Sequence, residues 1–482
     1  STNEDISPES PTTPASTHTN GSDNQPVSSR IRSQQQPISA RTRSKKQDPS
    51  APKPGNRKHE WDTYVNVMQT IINNHGAKHI NNWTSLNPFA ADVEVPTSYH
   101  AALTSKYADE WKKAIKSEIE SLRKLGVFKL IKRSKLPKRV NIISGKWVFK
   151  VKPNKDGGID RFKCRLCARG FLQKYGLDYN TTFSPVAHPE SIKLLLSISA
   201  HRGYKLRSAD VSTAFLYGDL PSNETIYMKP PQGIKAEPDD VMVLSKCLYG
   251  LKQASRRFFE KLQHILKQAG YKPLRADPCV YKSVYKRTKD KETTYVAVVV
   301  DDLLICSTTT QGTRRVIKEM RNAGLDTKDM GFPDYVIGMH IEKDKHGNIL
   351  LNQQLYIETI VRRFNMTDAK PVSTPANSTV KLRKSMTPPT KSKSREMRQR
   401  PYQALVGALL YAVLTRPDIA VAVNECYKYM HEPGKAMWTV AKRILRYLKH
   451  TKHYKLTLKA KELKNGQRTM AFVDSSYADC PD

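Results

Sequence analysis

The segment TYVAVVVDDLLICST, residues 294–308, decides the fold of this chain. Two adjacent aspartates, Asp301 and Asp302, stand between two apolar runs. Neither run alternates, which is typical of strands covered on both faces, so the segment is predicted to form a β-hairpin. Tight turns favour Asn-Gly or Asp-Gly because they need positive φ, and adjacent anions beside a low-dielectric sheet repel each other. The aspartates are therefore either solvated turn residues or part of a cation site.

A third carboxylate, Asp210, ends the strand-like start of YKLRSADVSTAFLYG, well upstream of the hairpin. If Asp210 meets Asp301 and Asp302, the three would form an all-oxygen site of the kind that hard divalent cations prefer. Two such ions support nucleotidyl transfer without a His or Ser nucleophile, because this chemistry mainly needs positioning and charge neutralisation. Taken alone, Asp210 is also explained as a helix N-cap.

The charge balance indicates the class of partner. Among the 482 residues, 81 are basic and 45 acidic, which gives a net charge of +36 and favours a polyanion, with nucleic acid ahead of acidic lipid. No apolar run is long enough to span a bilayer and no signal peptide opens the chain, so no membrane partner is expected. The first residue is Ser rather than Met, and we therefore expect a piece of a longer polyprotein.

The seven cysteines are scattered through apolar segments, as is typical of a reducing compartment. Cys164 and Cys167 form one C-x-x-C inside a strand-like segment. No second Cys or His pair lies at zinc-site spacing, so we predict packed thiols rather than a metal site.

Composition divides the chain into segments. Residues 1–60 are rich in Ser, Thr, Pro, Gln and Asn and are predicted to be a disordered basic linker, either solvated or acting as an electrostatic tether. A helical extension is predicted over 61–130, and a mobile loop over Lys381–Arg400. In the helix KAMWTVAKRILRYLKH, Lys442 and Arg446 lie on a basic face that either is solvated or contacts phosphates.

The ordered motifs resemble the reverse transcriptase of copia-type LTR retrotransposons. They are KWVFKVK, RFKCRLCARGFLQKYGLDYNTTFSPVA, LRSADVSTAFLYGDL, LYGLKQASR, VVVDDLL, IGMHIEK, LVGALLYAVLTRPDIAVAV and RILRYLKHTKHYKL. The resemblance implies an α+β right-hand polymerase fold of fingers, palm and thumb behind a disordered basic N-terminal tail. Fingers and palm are expected over 131–343, the thumb and connection over 344–465, and the truncated start of an RNase H domain over 466–482.

The resemblance also assigns the reaction site. Asp210, Asp301 and Asp302 match the catalytic carboxylates, with Asp210 and Asp301 as principal ligands of two Mg²⁺ ions, Asp302 beside them and the Val211 carbonyl assisting; Mn²⁺ is expected to substitute. Phe215 matches the aromatic gate that excludes a 2′-hydroxyl, although an ordinary core position would also explain it.

Further positions match the family's contacts to nucleotide and nucleic acid. Lys163 and Arg165 match the fingers cations that hold the triphosphate, and on a strand they share a face. Gln253 matches a glutamine on the 3′-hydroxyl side of the nucleotide. The primer grip, the thumb helix and the basic helix supply the expected primer–template contacts, which are Gly338, Met339, His340, Gly407, Lys442 and Arg446. Gly407 would allow close approach of the duplex, unless helix packing alone requires it.

Two positions depart from the family pattern. Val299 stands where an aromatic residue is usual, so we expect weakened rather than absent catalysis. Asp474 resembles the first acidic ligand of an RNase H domain, but few residues follow it, so RNase H activity is not expected from this chain.

The sequence therefore predicts an RNA-directed and DNA-directed DNA polymerase that uses template–primer and dNTPs. The integrase, RNase H and capsid of the same element are expected partners, in a cytoplasmic virus-like particle with access to the nucleus for DNA integration. The alternative is a weakened or inactive nucleic-acid-binding remnant. A two-metal nuclease is disfavoured by the ordered fingers and gate motifs.

Overall fold

The computed structural model describes residues 93–153, 159–286, 291–377, 379–387, 390, 395–397 and 399–460. The predicted linker over 1–60 and the predicted RNase H residue Asp474 lie outside the described residues. Within the described part of the chain, no helix is both long and apolar enough to cross a bilayer.

The helices and strands used below have the following bounds. The helices are α1 (Tyr99–Thr104), α2 (Ala108–Lys124), α3 (Pro189–Arg202), α4 (Ala254–Gln268), α5 (Thr310–Asn322), α6 (Gln354–Arg363), α7 (Tyr402–Ala412), α8 (Ala420–Tyr427) and α9 (Lys435–His450). The strands are β1 (Phe128–Lys132), β2 (Ile142–Ile143), β3 (Gly145–Pro153), β4 (Ile159–Ala168), β5 (Lys205–Val211), β6 (Ile226–Met228), β7 (Asp240–Leu244), β8 (Lys272–Pro273), β9 (Val280–Lys286), β10 (Lys291–Val299), β11 (Asp302–Ser307), β12 (Thr327–Gly331), β13 (Tyr335–Val336), β14 (Met339–Lys343), β15 (Ile349–Asn352) and β16 (Leu456–Leu458).

A six-stranded antiparallel sheet forms the predicted palm, in the order β12-β5-β11-β10-β9-β8. Residues of β10 and β11 alternate between two apolar cores. One core holds Val298 and Leu303 with α4 and α5, and the other holds Ala297 and Leu304 with α3. Both faces of the hairpin are therefore covered, which confirms the prediction drawn from its unalternating sequence.

The predicted fingers combine a four-stranded sheet, β1-β7-β6-β2, with the long hairpin of β3 and β4. Helix α2 buries Trp111, which packs edge-on against Phe149 and Phe162 of that hairpin. Acidic residues in its first turn and basic residues in its last turn complement the helix dipole. Helix α2 shares one apolar core with the hairpin, and the predicted boundary at residue 130 falls inside β1.

The predicted thumb and connection, residues 344–465, contain the helices α6 to α9 and the strands β15 and β16. These two strands complete a small sheet, β13-β14-β15-β16, with two strands from the end of the predicted fingers and palm region. The four helices enclose their own apolar core. Arg416, only 2% exposed, ties this region together. Its guanidinium pairs with Asp418 and donates to the Thr451 carbonyl at the end of α9.

Candidate active site

The palm sheet brings two of the predicted catalytic carboxylates face to face. Asp302 of β11 lies opposite Asp210 of β5 in the antiparallel register. The Val211 N–H donates to the Asp301 carbonyl at 3.0 Å, which makes Asp210 and Asp302 a non-hydrogen-bonded pair. Such pairs have their Cα atoms about 4.5 Å apart and their side chains on one face. Two carboxylates at this separation create an anionic spot at the strand ends.

The two-residue turn between β10 and β11 lies one residue earlier in the chain than a turn formed by Asp301 and Asp302. Val299 pairs with Asp302, so Val300 and Asp301 form the two-residue turn and Asp302 already belongs to β11. Val300 has φ +58° and Asp301 does not have positive φ, which is the φ signature of a type II′ turn. A β-branched residue is a poor choice for positive φ, so this turn is strained.

Strained backbone is concentrated around this spot. Four non-glycine residues have positive φ in the described ranges: Thr213, Val300, Ile337 and Asn365. Thr213 follows β5 and lines the same cleft as Asp210 and Ile337. Such strain costs about 1–3 kcal/mol per residue and tends to occur at functional sites, where the surrounding structure enforces a chosen geometry.

A cleft of about 580 Å³ opens over the carboxylate pair, between the predicted palm and the predicted fingers. Asp210 and Asp302 line its palm side, together with Val299 and residues before the β13–β14 turn. From the fingers come the cations Lys152, Arg161 and Lys163. Carboxylates and cations therefore line one cleft, and Lys163 is among the residues that line it.

The donors around the strand ends fit a hard divalent cation. Asp210, Asp301 and Asp302 offer carboxylate oxygens, which such ions prefer over nitrogen or sulfur. Asp301 lies in the turn, while Val211 buries its side chain completely. Across the described ranges, no three His, Cys, Asp or Glu side chains form a complete metal-binding group by themselves. Mg²⁺ typically takes only one or two carboxylates and completes its shell with water and substrate phosphates.

The β3–β4 hairpin carries a basic face. Lys150 pairs in register with Lys163, and Val148 pairs with Arg165, so these side chains share one side of the hairpin. Burial, and repulsion from Lys152 and Arg165, lower the pKa of Lys150 to about 8. Crowded cations are costly without a counterion, and a polyphosphate would neutralise several of them at once.

Tyr249 connects two predicted nucleotide contacts and is a residue that sequence reasoning missed. The Arg165 guanidinium lies 4.5 Å from the centre of the Tyr249 ring. Phe215 packs edge-on against the same ring, with centroids 5.6 Å apart. Phe215 itself is half-buried, in a short 3₁₀ helix that follows β5. The only sequence signal was the position of Tyr249 inside LYGLKQA, next to a turn glycine.

Gln253 lies behind this site rather than in the cleft. Its side chain is fully buried; Nε2 donates to the Asp178 carbonyl at 2.8 Å, and Oε1 accepts from Gln173 at 3.0 Å. Both ends of the amide are therefore used inside the protein. The predicted contact of Gln253 with nucleotide stays a prediction.

The predicted primer grip is a tight hairpin. Val336 pairs with Met339 across a turn of Ile337 and Gly338, both with positive φ, which is the signature of a type I′ turn. Gly338 lines the cleft, whereas Met339 is fully buried in the palm core. The ring of His340 lies 4.8 Å from that of Tyr335. Gly338 is buried although it lines the cleft, and His340 is half-buried.

The predicted nucleic-acid contacts on the thumb helices are a glycine on α7 and basic residues on α9. Gly407 lies on α7, and a Cβ placed on it would meet no atom within 4 Å outside its own helix backbone, so helix packing does not require glycine here. On α9, Lys442 lies over the Trp438 ring and Arg446 donates to the Lys370 carbonyl at 2.6 Å. Lys449 donates to the carbonyls of Thr367 and Ala369. Part of the basic face thus binds main-chain carbonyls, an arrangement that neither sequence explanation foresaw.

The described cysteines are free thiols. Burial raises the pKa of Cys164 to about 12 and that of Cys167 to about 11. Thiols with such pKa values are poor metal ligands and poor nucleophiles, as expected for packed residues.

Comparison with known proteins places these features in a family. Residues 126–378, just over half of the chain, match the family described as reverse transcriptase (RNA-dependent DNA polymerase). The chain is 40% identical over 365 residues to the retrovirus-related Pol polyprotein from transposon TNT 1-94 of Nicotiana tabacum, covering 75% of this chain and 27% of that protein. It is 32% identical to the Pol polyprotein from transposon RE2 of Arabidopsis thaliana, covering 77% and 24%. The chain therefore spans about a quarter of the length of these polyproteins.

A shorter relative is matched over most of its length. The putative transposon Ty5-1 protein YCL074W of Saccharomyces cerevisiae is 32% identical, over 50% of this chain and 76% of that protein. Among solved structures, a foamy viral protease-reverse transcriptase in complex with double-stranded DNA aligns with a TM-score of 0.35 and 13% identity, over 70% and 48% of the two chains. On the family match and the relatives, the α+β fold and the predicted resemblance are confirmed, and this chain belongs to the reverse transcriptase family.

Proposed function

We propose that this chain extends a DNA primer on an RNA or DNA template, with dNTPs as substrates and two divalent ions, Mg²⁺ with Mn²⁺ as substitute, as cofactors. The observation that carries the proposal is the Asp210–Asp302 pair, which faces a cleft whose other side bears Lys152 and Lys163. Carboxylate oxygens are the ligands that hard divalent cations prefer, and a bound polyphosphate would pair with the cations across the cleft.

In this proposal, different residues of the chain hold the ions and orient the nucleotide. Asp210, Asp302 and the adjacent turn residue Asp301 would hold the ions, which when bound activate the primer 3′-hydroxyl and stabilise the departing pyrophosphate. Lys163 and Arg165 orient the triphosphate, and the Tyr249 ring fixes the Arg165 guanidinium. Their contribution is positioning and charge neutralisation, which dominate in phosphoryl transfer.

Phe215 selects the sugar in this proposal. The Tyr249 ring packs edge-on against the Phe215 ring, and this packing restrains the orientation of the Phe215 side chain. A rigid aromatic edge near the sugar excludes a 2′-hydroxyl by steric conflict, which is discrimination by repulsion rather than by a new attraction.

Duplex binding is proposed to be mainly electrostatic. The net charge of +36 predicts an affinity that falls steeply with salt, because cations that contact phosphates release counterions. Gly407 is proposed to allow a close approach of the duplex to α7: the residue is buried, but a Cβ placed on it would meet no atom within 4 Å. Lys442 and His340 are further proposed contacts.

A primer-extension assay tests the proposal. Purified protein is given an RNA template, a DNA primer and labelled dNTP, and Asp210→Asn, Asp301→Asn and Asp302→Asn are compared with wild type. Each is expected to abolish incorporation while duplex binding persists. Asp219→Asn is the matched control, because Asp219 is exposed and its surface ion pair with Lys261 contributes little.

The outcomes separate the alternatives. Full incorporation by all three variants would contradict the assigned site. A folded wild-type protein that binds duplex but incorporates nothing would support the binding remnant, for which the cleft position of Val299 gives a reason. Primer loss in place of extension would indicate a nuclease.

The biological setting is proposed on the relatives' polyprotein character. Integrase, RNase H and capsid products of the same element are the expected partners, and a cytoplasmic virus-like particle is the expected site of synthesis. Recovery of the chain in sedimenting particles with nuclease-protected RNA would test this setting; recovery only as free protein would contradict it.

A further inference from the structure

Glu118 is a carboxylate on the apolar side of α2. The buried residues of this helix are Trp111, Ile115, Glu118 and Leu122, and their spacing places them on one stripe. Glutamate is almost never buried on such a stripe unless it has a partner. Glu118 is nevertheless only 6% exposed. Its presence among the apolar residues therefore needs an explanation other than packing.

The partner of Glu118 is a backbone amide of the β3–β4 hairpin. The Leu166 N–H donates to Oε1 of Glu118 at 3.2 Å. The hairpin forms a two-stranded sheet, so the edge of β4 that faces away from β3 needs other acceptors for its N–H groups. Helix α2 uses its own carbonyls in its internal hydrogen bonds. A long acceptor side chain is therefore what this helix can offer to β4.

A second contact holds the same edge of β4 two residues later. The Ala168 N–H donates to the Tyr249 carbonyl at 2.7 Å, and Cys167 forms a parallel bridge with Tyr249. Amides two residues apart on a strand point to the same edge. Glu118 and Tyr249 therefore fix the outer edge of β4 at adjacent points.

The amide that Glu118 binds is also part of the main chain of Arg165. A peptide bond is planar, so the unit that joins Arg165 to Leu166 moves as one body. Anchoring its N–H restrains the backbone at Arg165, whose guanidinium stacks on Tyr249. Lys163 lies two positions earlier on the same strand and, like Glu118, lines the cleft. The anchor thus acts on the segment that carries both cations proposed to hold the triphosphate.

The surrounding charges favour a carboxylate as the acceptor. Burial raises the pKa of Glu118, whereas the Leu166 N–H and the charges of Arg165 and Lys163 act in the opposite direction. Hydrogen bonds with an ionised partner are about twice as strong as neutral ones. The two cations therefore lower the cost of burying the group that anchors their strand.

We propose that Glu118 is a positioning residue of the nucleotide site, which anchors β4 at the Leu166 amide and so fixes the approach of Lys163 and Arg165 to the triphosphate. Glu118 acts through the strand and not by contact with the nucleotide. This inference rests on the proposed polymerase function and adds to it a residue outside the reacting groups. Cations held in place before the nucleotide arrives bind it with less ordering cost.

Equilibrium binding of a fluorescent dNTP tests this role without catalysis. The full chain is bound to a template–primer whose primer ends in a dideoxynucleotide, with Mg²⁺ present, and anisotropy gives the Kd for the dNTP. Glu118→Met keeps the length of the side chain but removes the acceptor, and it is expected to weaken dNTP binding about tenfold or more. Glu118→Gln keeps an acceptor oxygen and is expected to stay within about threefold of wild type.

Two further measurements separate positioning from a general loss of structure. The affinity for template–primer without dNTP is expected to be the same in all variants. Hydrogen–deuterium exchange in the peptide that contains Leu166 is expected to be faster in Glu118→Met than in wild type. Glu120→Met is the matched control, because Glu120 is exposed on the same helix, and it is expected to leave the Kd for dNTP unchanged. Should Glu118→Met fail to fold, Glu118→Ala removes the same acceptor.

Three results would overturn the inference. The first is an unchanged Kd for dNTP in the variant without the acceptor. The second is a loss in Glu118→Gln equal to that in Glu118→Met, which would assign the effect to the charge of the carboxylate. The third is an equal loss of template–primer affinity, which would show a general structural effect. A wild-type protein that binds dNTP but leaves an unblocked primer unextended would contradict the polymerase proposal and leave the role of Glu118 standing.

Discussion

Arg165 stacks its guanidinium over the ring of Tyr249, 4.5 Å from the centre, and so a cation on the fingers is fixed by an aromatic residue of the segment before α4. Tyr249 also supports Phe215 from the side. One ring therefore sets the position of the residue proposed to hold phosphate and of the residue proposed to sense the sugar.

Replacing this ring should weaken nucleotide binding. Tyr249→Leu removes a cation–π contact of about 0.5–2 kcal/mol, so the KM for dNTP is expected to rise roughly two- to thirtyfold with a smaller effect on kcat. Steady-state primer extension measures both constants. Tyr249→Phe keeps the ring and should stay close to wild type, and equal losses in the two variants would contradict a role for stacking.

Phe215→Val should relax sugar selection. A smaller side chain leaves room for a 2′-hydroxyl, so incorporation of ribonucleotides relative to deoxynucleotides is expected to increase about tenfold or more. Competition between rNTP and dNTP on one template provides the measurement. Phe258→Val is the comparison, because Phe258 is fully buried in the palm core and should alter stability without altering sugar preference. An unchanged ratio would assign Phe215 to the core instead.

The pH dependence of nucleotide binding should reflect Lys150. Burial and repulsion from Lys152 and Arg165 lower its pKa to about 8, so its positive charge is complete below that pH and is lost as the pH rises through it. The KM for dNTP is therefore expected to rise above pH 8. Since the folded pKa lies below the unfolded one, the free energy of unfolding should increase over the same interval.

Lys150→Met separates this effect from other titrations. It is expected to have a raised KM at pH 7 that no longer changes near pH 8. A wild-type inflection that persists in the variant would show that another group is responsible.

Several elements follow from sequence patterns alone. The β-hairpin of residues 294–308 and the strand that ends near Asp210 were predicted because their residue patterns are local signals. The site residues that these elements carry were identified by family resemblance, and the structure brings Asp210 and Asp302 together.

Other features were not accessible from sequence because they depend on long-range contacts. The turn at Val300 contradicts residue preference, so tertiary structure must enforce it. The burial of the Gln253 amide involves a contact with Gln173, which lies 80 positions away in the chain. The carbonyls that bind Arg446 and Lys449 come from a segment with no secondary-structure signal.

Gln253→Met should distinguish a positioning role from a nucleotide contact. Loss of the amide leaves buried groups of Gln173 and Asp178 without their partner, so the free energy of unfolding is expected to fall about 2–4 kcal/mol. Urea denaturation measures this change. Gln268→Met, at an exposed site on the same helix, should stay within about 0.5 kcal/mol of wild type. A raised dNTP KM with unchanged stability would favour the direct contact that the sequence predicts.

Gly407→Ala should affect stability and binding in opposite directions. Alanine favours the helix by about 0.5–1 kcal/mol and meets no neighbouring atom, so Tm should increase. Duplex affinity should decrease, because the added methyl group occupies the proposed approach path. Ala404→Gly, on the exposed side of α7, is expected to lower Tm and leave affinity unchanged. Unaltered duplex affinity in Gly407→Ala would remove α7 from the interface.

The in-register pairing of Asp210 with Asp302 makes the site sensitive to insertions in a way that most of the sheet is not. Side chains alternate along a strand, so adding one residue to the Val300–Asp301 turn would slide β11 by a single position and turn the Asp302 carboxylate to the opposite face. The same insertion would turn the side chains of β11 that pack in one apolar core toward the other core. The apolar packing on both faces of the hairpin therefore also fixes the register of β11 against β5. This register preserves the spacing of Asp210 and Asp302 as long as the sheet stays folded.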